Sequence, residues 1–291
     1  MEPHEADINP LDLLKLKYCF FGAGSLAEAF VRGMLTNEVA SKDHIWMLNR
    51  SNRERLAYLN NQYGVQVSNE QATKEQWLHH ADVVVLMMKP KDAYKACLEL
   101  KPLLRPDTLV ISAIAGLSIE AIQHVLGPVA VVRTMPNTSS TIGLGATGVC
   151  FSGEVTAYQQ QIAKLILQAT GIIAEVDESL MDTITGVSGS GPAYIYYVME
   201  AMIEAGVSQG LDPEQAHALV VQTVRGAAEM VRRTGESPAE LRRKVTSPGG
   251  TTQAALQVLN DNGISHAFHT AIQHASNRAA EMGAQIAAEM R

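Results

Sequence analysis

Two stretches of this chain carry residues whose types and spacing could hold a ligand and act on it. The first is Gly22-Ala23-Gly24-Ser25-Leu26-Ala27, a G-x-G-x-x-A turn. It follows the apolar run Tyr18-Cys19-Phe20-Phe21 and enters a helical pattern through Ala29, Phe30, Met34 and Leu35. Strand, glycine turn and helix in that order form the dinucleotide fingerprint. Gly22 permits the tight turn, Gly24 lets a pyrophosphate approach the backbone, and Ala27 lets the helix pack on the strand. The second stretch runs Lys244-Val245-Thr246-Ser247-Pro248-Gly249-Gly250-Thr251-Thr252-Gln253. It is a Pro-Gly-Gly turn set among hydroxyl side chains, and it leads into the helix-like Ala255, Leu256 and Leu259. Such a turn presents unpaired backbone N–H groups at a helix N-terminus, where an anion is favoured. Taken alone, it reads equally well as an ordinary capped helix.

The ends of the other apolar runs add to the first stretch. Ile45-Trp46-Met47-Leu48 stops at Asn49-Arg50-Ser51-Asn52-Arg53, where an NAD enzyme carries an acid for the ribose 2′-hydroxyl. No acid stands there. Arg50, Ser51 and Arg53 instead suit a 2′-phosphate, which points to NADP(H). Val83 to Met88 reads as a buried parallel strand that delivers Met88 and Lys89 to a carboxyl edge. Leu109 to Ile114 and Val129 to Arg133 read likewise, the second ending at Thr134-Met135-Pro136-Asn137-Thr138. Ligands of open α/β sheets gather at the carboxyl ends of strands, so function is expected at these endings.

The elements that must position these residues change character midway. Further strands are expected at 65–67, 147–151 and 172–176. Helices are expected at 55–63, from Asn69 to His80, after the capping Ser118, and at 155–169. About six to eight strands alternating with helices make a doubly wound sheet. After Asp177 strand signals stop. Gly186-Val187-Ser188-Gly189-Ser190-Gly191-Pro192 opens a long helix from Ala193 to Gln209, and Asp212 caps a second to about Arg233. Both are apolar around much of their circumference and carry small residues such as Ala201, Ala205, Gly226 and Ala227. They are therefore expected to bury themselves against another subunit. Ser237-Pro238-Ala239-Glu240 has the form of a capping box ahead of Leu241 to Lys244, and Asp261-Asn262-Gly263 turns into a last helix.

The expected fold class is α/β, a Rossmann-type doubly wound sheet followed by an all-helical C-terminal dimerisation domain. The expected divisions are an acidic N-terminal extension (1–16, with Glu2, Glu5, Asp7 and Asp12), an NADP-binding domain (17–176) and an all-α substrate and oligomerisation domain (177–291).

Bulk properties narrow the classes. The chain has 291 residues, 46% hydrophobic and 18% charged, enough for two domains with cores of their own. A net charge of −7 without a basic run argues against nucleic acid as the partner. The first residues lack the basic start and apolar middle of a signal peptide, and no run is long and apolar enough to span a membrane. Cys19, Cys97 and Cys150 have no CxxC spacing and read as buried thiols of a cytoplasmic protein. The nine histidines are scattered without ligand spacing, so no metal is expected.

The chain resembles the pyrroline-5-carboxylate reductase family over roughly Lys17 to Met282. The resemblance rests on Gly22 to Ala27, Met88-Lys89-Pro90, Arg133-Thr134-Met135-Pro136-Asn137-Thr138, Gly186 to Tyr194 and, above all, Val245-Thr246-Ser247-Pro248-Gly249-Gly250-Thr251-Thr252. It implies NADPH, with NADH as the alternative, held by Gly22, Ala23, Gly24, Ser25, Leu26 and Ala27. The cofactor is further implied near Asn49, Arg50 and Asn69, along Met87, Met88, Lys89 and Pro90, and near Ser112, Ala113 and Ile114. It implies the substrate 1-pyrroline-5-carboxylate on Ser247, Gly249, Gly250, Thr251 and Thr252 together with Asn137, with Thr252 near the ring nitrogen as the catalytic residue. It also implies a cytoplasmic enzyme of proline biosynthesis that assembles through its helical half as dimers or larger rings. Two departures stand out: the acidic segment before Leu16 lies outside the match, and Lys244 replaces the Asn of some members.

Two other functions fit the same layout. A β-hydroxyacid dehydrogenase relies on a catalytic lysine in the helical domain, for which Lys164 and Lys244 are the sparse candidates. A catalytically weak relative would keep the nucleotide fold as a sensor or scaffold.

Overall fold

The computed structural model describes residues 9–290. Of the acidic stretch, Glu2, Glu5 and Asp7 lie outside the described residues; Asp12 sits in a short helix, α1 (Pro10–Leu13).

Eight strands form one sheet: β1 (Tyr18–Phe21), β2 (Ile45–Leu48), β3 (Gln66–Ser68), β4 (Val83–Leu86), β5 (Leu109–Ser112), β6 (Ala130–Met135), β7 (Gly145–Phe151) and β8 (Gly171–Glu175). Their order is β3-β2-β1-β4-β5-β6-β7-β8. Strands β1 to β6 are parallel, β7 is antiparallel to β6, and β8 is parallel to β7. The reversal has a local cause. Between β6 and β7 the chain makes only a tight turn at Thr138–Ile142, too short for the crossover that a parallel neighbour needs.

Helices α2 (Ser25–Thr36), α3 (Arg53–Tyr63), α4 (Gln71–His80), α5 (Ala93–Leu100), α6 (Ile119–Leu126) and α7 (Ala157–Gln168) cover the sheet. Because side chains alternate along a strand, the sheet has two apolar faces. Tyr18, Phe20, Met47, Val85 and Ile111 pack with Phe30, Leu59 and Ile166 of α2, α3 and α7. Cys19, Leu48, Val84, Leu86 and Val110 pack with Leu78, Cys97 and Ile122 of α4, α5 and α6. With both faces covered, β4 reads as an unbroken apolar run in which every residue is buried.

The runs through Met88 and Ile114 predict longer strands than form. Regular pairing stops at Leu86 and Ser112, while single ladder bonds persist from Met87 N–H to Phe21 O (3.0 Å) and from Ala113 N–H to Leu86 O (3.0 Å).

By packing, the chain divides into two compact units. One runs up to Ser190 and resumes at His274; the other is Gly191–Gln273. This differs from the boundary expected after residue 176. Residues beyond it remain tied to the sheet: Met181, in α8 (Met181–Ile184), is buried, and a Cβ on Gly148 would stand 2.6 Å from Ile184 Cγ2. A π-helical turn, Thr185–Gly189, then leads out, closed by Ser190 N–H to Thr185 O at 2.8 Å.

The second unit holds α9 (Gly191–Ser208), α10 (Pro213–Thr234), α11 (Pro238–Lys244), α12 (Thr251–Asp261) and the start of α13 (Ile264–Glu289). Asp212 caps α10 through the N–H groups of Glu214 and Gln215, and Ser237 with Glu240 forms the expected capping box. The rest of α13 belongs to the first unit, where Ile286 joins its core and Gly283 meets Gly116 backbone to backbone. The sequence reading assigns that whole helix to the helical half.

Candidate active site

Strand register brings the predicted cofactor residues to one line. Ser68, Leu48, Phe21, Leu86, Ser112 and Arg133 are successive neighbours across the sheet. Asn69, Asn49, Gly22, Met87 and Ala113 are therefore the next residues out along a single carboxyl edge. Strand order reverses at β1, and that is where a crevice opens in sheets of this kind.

At Gly22 the backbone takes φ +123°, and a Cβ would lie 2.2 Å from Met87 O, so only glycine fits. Gly24 differs. It is the N-cap of α2, supplies no side-chain cap, and a Cβ there would meet nothing within 4 Å. Open space over an uncapped helix start is what a pyrophosphate requires, so these residues fit a dinucleotide. Ala27 is fully buried, which lets α2 approach the strand.

Sequence reading missed the residue that braces this turn. Arg55, on α3, donates from Nε to Ala23 O (3.0 Å) and from Nη2 to Gly24 O (3.1 Å), and pairs with Glu28. Glu28 also accepts from the phenols of Tyr63 (2.7 Å) and Tyr58 (3.1 Å). Burial works against charge on Glu28, but the bonds from Tyr63 and Arg55 hold its carboxyl below the ordinary range. Burial and the bond to Glu28 push the Tyr63 phenol up to about 12.

At the end of β2, Asn49 Oδ1 accepts from the N–H groups of Ser51 (3.1 Å) and Asn52 (3.0 Å), shaping the loop that carries Arg50. The Arg50 side chain is 81% exposed and lies 3.6 Å from Asp92. Ser51 and Arg53 are exposed beside it, and Asn69 is half-buried just beyond β3. After β4, Met87 and Met88 are half-buried, Lys89 is exposed, and Pro90 opens a turn. Ser112 and Ile114 are buried, with Ala113 between them half-buried.

Asn137 has a different environment. Its Nδ2 donates to Ser188 O (3.0 Å) in the π-helical turn, and its Oδ1 accepts from Ala146 N–H (3.3 Å). Both ends of the amide hold backbone. Nearby, buried Arg133 pairs with Glu178 (3.0 Å) and Asp182 (3.3 Å), and Glu178 also accepts from Ile119 N–H (2.8 Å).

In the second unit, Ser247 to Gly250 form a turn closed by Gly250 N–H to Ser247 O (3.0 Å), with Gly249 at φ +70°. Gly249 N–H goes to Gln253 Oε1 (2.6 Å). Gly250 is the N-cap of α12 and provides no side-chain cap. Among the described residues, the N–H groups of Thr251, Thr252 and Gln253 have no partner, and the same stretch of sequence carries the hydroxyl residues Ser247, Thr251 and Thr252. Of the residues the resemblance implies for the substrate, Gly249 and Gly250 already use their N–H groups within the turn, so the free set starts at Thr251.

Comparison with known proteins names this arrangement. Residues 178–282 match the family model for pyrroline-5-carboxylate reductase dimerisation, and residues 17–116 match that for NADP oxidoreductase, coenzyme F420-dependent. The chain is 42% identical over 272 residues to pyrroline-5-carboxylate reductase 2 of Bacillus subtilis, covering 93% of this chain and 96% of that one. Among solved structures it is similar to a pyrroline-5-carboxylate reductase from Coxiella burnetii, with TM-score 0.86 and 38% identity over 92% of this chain and 98% of the other. It is also similar to a pyrroline carboxylate reductase from Plasmodium falciparum with NADP bound, with TM-score 0.82 and 29% identity over 93% and 99% of the two chains. Identity at this level, extending through both the glycine turn and the helical half, is that of a family member: the chain belongs to the pyrroline-5-carboxylate reductases.

Proposed function

We propose that this protein reduces 1-pyrroline-5-carboxylate to L-proline with NADPH, the last step of proline biosynthesis. The observation that carries the reading is the uncapped start of α12 at Gly250, in a chain of this family that also keeps the open glycine turn at Gly24. The substrate is a cyclic imine bearing a carboxylate. When bound, NADPH supplies the hydride for the C=N carbon.

The chain's own residues do the rest. The N–H groups of Thr251, Thr252 and Gln253 receive the carboxylate, and Thr252 attends the ring nitrogen. Orientation of this kind accounts for roughly 7–11 kcal/mol of a barrier in favourable cases. A threonine hydroxyl is too weak an acid to protonate the nitrogen outright near neutral pH. Thr252 therefore acts as a hydrogen-bond partner or relay for an iminium that arrives protonated, in keeping with a loop that carries no His, Asp or Glu. At the cofactor edge, Arg50 faces the 2′-phosphate and Gly22 to Ala27 receive the pyrophosphate.

The dehydrogenase alternative is not favoured. Lys164 stands on α7 in the first unit, outside the helical half, where it is paired with Glu175 and lies over the Phe151 ring, and Lys244 is paired with Glu236, so neither stands ready as a base. Homo-oligomerisation through the helical unit follows from the dimerisation match and from its bare apolar side chains. No helix of the described residues is long and apolar enough to cross a membrane. The cysteines are free and buried, which suits a reducing cytoplasm, and burial pushes the Cys97 and Cys150 thiols up to about 11, so neither is a ready nucleophile near neutral pH.

The test is NADPH oxidation with 1-pyrroline-5-carboxylate and identification of L-proline as product. Absence of turnover overturns the assignment. Thr252→Ala is expected to lower kcat about 10–100-fold while the NADPH KM stays within about twofold; an unaltered kcat removes Thr252 from the chemistry.

A further inference from the structure

Gln253 occupies N3 of α12, the position from which a capping-box side chain reaches back to the start of its helix. Among the described residues, two complete boxes offer a comparison. At α7, the Thr156 hydroxyl accepts from Gln159 N–H while the Gln159 side chain accepts from Thr156 N–H; at α11, Ser237 and Glu240 do the same. Each box closes its helix start from both sides. At α12 the N3 side chain reaches back, but one residue further, and among the described residues nothing covers the first-turn donors. Gln253 reaches back past the N-cap and accepts from the N–H of the preceding residue, Gly249, at 2.6 Å, while the N-cap Gly250 gives its own N–H to Ser247 O and has no side chain to accept from N3. The half that braces the loop is kept, and the half that would cover the first-turn donors is missing.

We propose that Gln253 is the positioning residue that sets the Pro-Gly-Gly turn to receive the substrate's carboxylate. The inference rests on the functional reading above. Gly249 sits at φ +70°, and nothing lies within 4 Å of where its Cβ would be. No neighbour packs on Gly249 from that side, and its placement leans on its own N–H bond to Gln253 Oε1 and on Gly250 N–H to Ser247 O. A neutral amide suits this post better than the more usual glutamate. Both accept from Gly249, but a glutamate would set a negative charge beside the incoming carboxylate.

Two substitutions, Gln253→Ala and Gln253→Glu, separate bracing from ligand placement. Gln253→Ala is expected to raise KM for 1-pyrroline-5-carboxylate about tenfold, with kcat and the NADPH KM each within about twofold. Gln253→Glu keeps the brace and a wild-type melting temperature, yet is expected to raise KM further than the alanine variant; added salt should relieve that excess and not the alanine effect. A KM equal to wild type in the glutamate variant would reduce Gln253 to a helix brace. A KM lowered in the alanine variant would make Gln253 a competitor of the substrate. Either overturns the proposal. Affinity for L-proline, measured by calorimetry on the same three proteins, tests Gln253 independently of turnover. Wild-type protein that binds L-proline about tenfold tighter than Gln253→Ala but does not reduce the imine would refute the proposed reaction and leave the carboxylate site standing. Equal proline affinities, or no proline binding, would overturn the role given to Gln253.

Discussion

Gly22 and Gly24 stand two residues apart and answer to different constraints. Gly22 is required by the protein itself, since a Cβ there would run into Met87 O at 2.2 Å. Gly24 has ordinary backbone angles and open space, so its lack of a side chain serves something from outside. Gly22→Ala should therefore lower the melting temperature sharply or abolish folding. Gly24→Ala should melt within about 2 °C of wild type while NADPH binding weakens at least about tenfold. Thermal melts and cofactor titration distinguish the two, and matched stability losses would contradict this division. At the end of β2, Arg50→Asp should raise the NADPH KM about tenfold or more and change the NADH KM much less; equal losses would show that Arg50 does not read the 2′-phosphate. Both glycines and Arg50 are legible in the sequence because their meaning is local: a turn, a spacing, a missing acid. Arg55 is not. Its guanidinium reaches carbonyls more than thirty positions earlier, at Ala23 and Gly24, and nothing around it in sequence distinguishes it from a solvated helix arginine.

Between elements, what holds the cofactor turn is the α2–α3 seam built on Glu28, Arg55, Tyr58 and Tyr63. Glu28 titrates below its ordinary range in the folded protein, so its contribution is present above the unfolded carboxylate pKa and is lost as pH falls through the folded value. Tyr63 has the opposite sign: raised to about 12, it contributes fully below about pH 10 and loses that contribution as pH climbs toward 12. Glu28→Gln should flatten both limbs of a stability–pH curve measured by denaturant titration; a curve parallel to wild type would remove the seam from the account. The strands that end at this edge were readable because, with both sheet faces covered, they are continuous apolar runs. The reversal of β7 was not, since strand direction depends on connection geometry, which the runs do not record. The π-helical turn at Thr185–Gly189 was also hidden, because a string of Gly and Ser reads as a loop until Asn137 and Met135 are seen to hold it.

For the molecule as a whole, the helical unit exposes Tyr196, Tyr197, Leu219, Met230 and Val258, and α9 has no buried residue. Faces of that composition need a partner. Tyr197→Asp should shift the protein toward monomer in sedimentation or light scattering, and the wild-type melting temperature should rise with protein concentration. A monomeric wild type with a concentration-independent melt would refute assembly through this unit. The sequence announces that such a face exists and assigns the whole last helix to the helical half, whereas by packing the part from His274 onward joins the first unit. Gly283 looks like one more glycine in a long helix, yet it is the point where α13 lies against Gly116, with Ile286 and Met290 buried in the first unit. This has a consequence for biosynthesis. Chains emerge from the ribosome N-terminus first, and domains ordinarily fold in that order. Here the nucleotide-binding unit cannot close one of its faces until the last turns of α13 have been made, so while residues 191–273 are being added that face is exposed to whatever chaperone or neighbouring nascent chain is present.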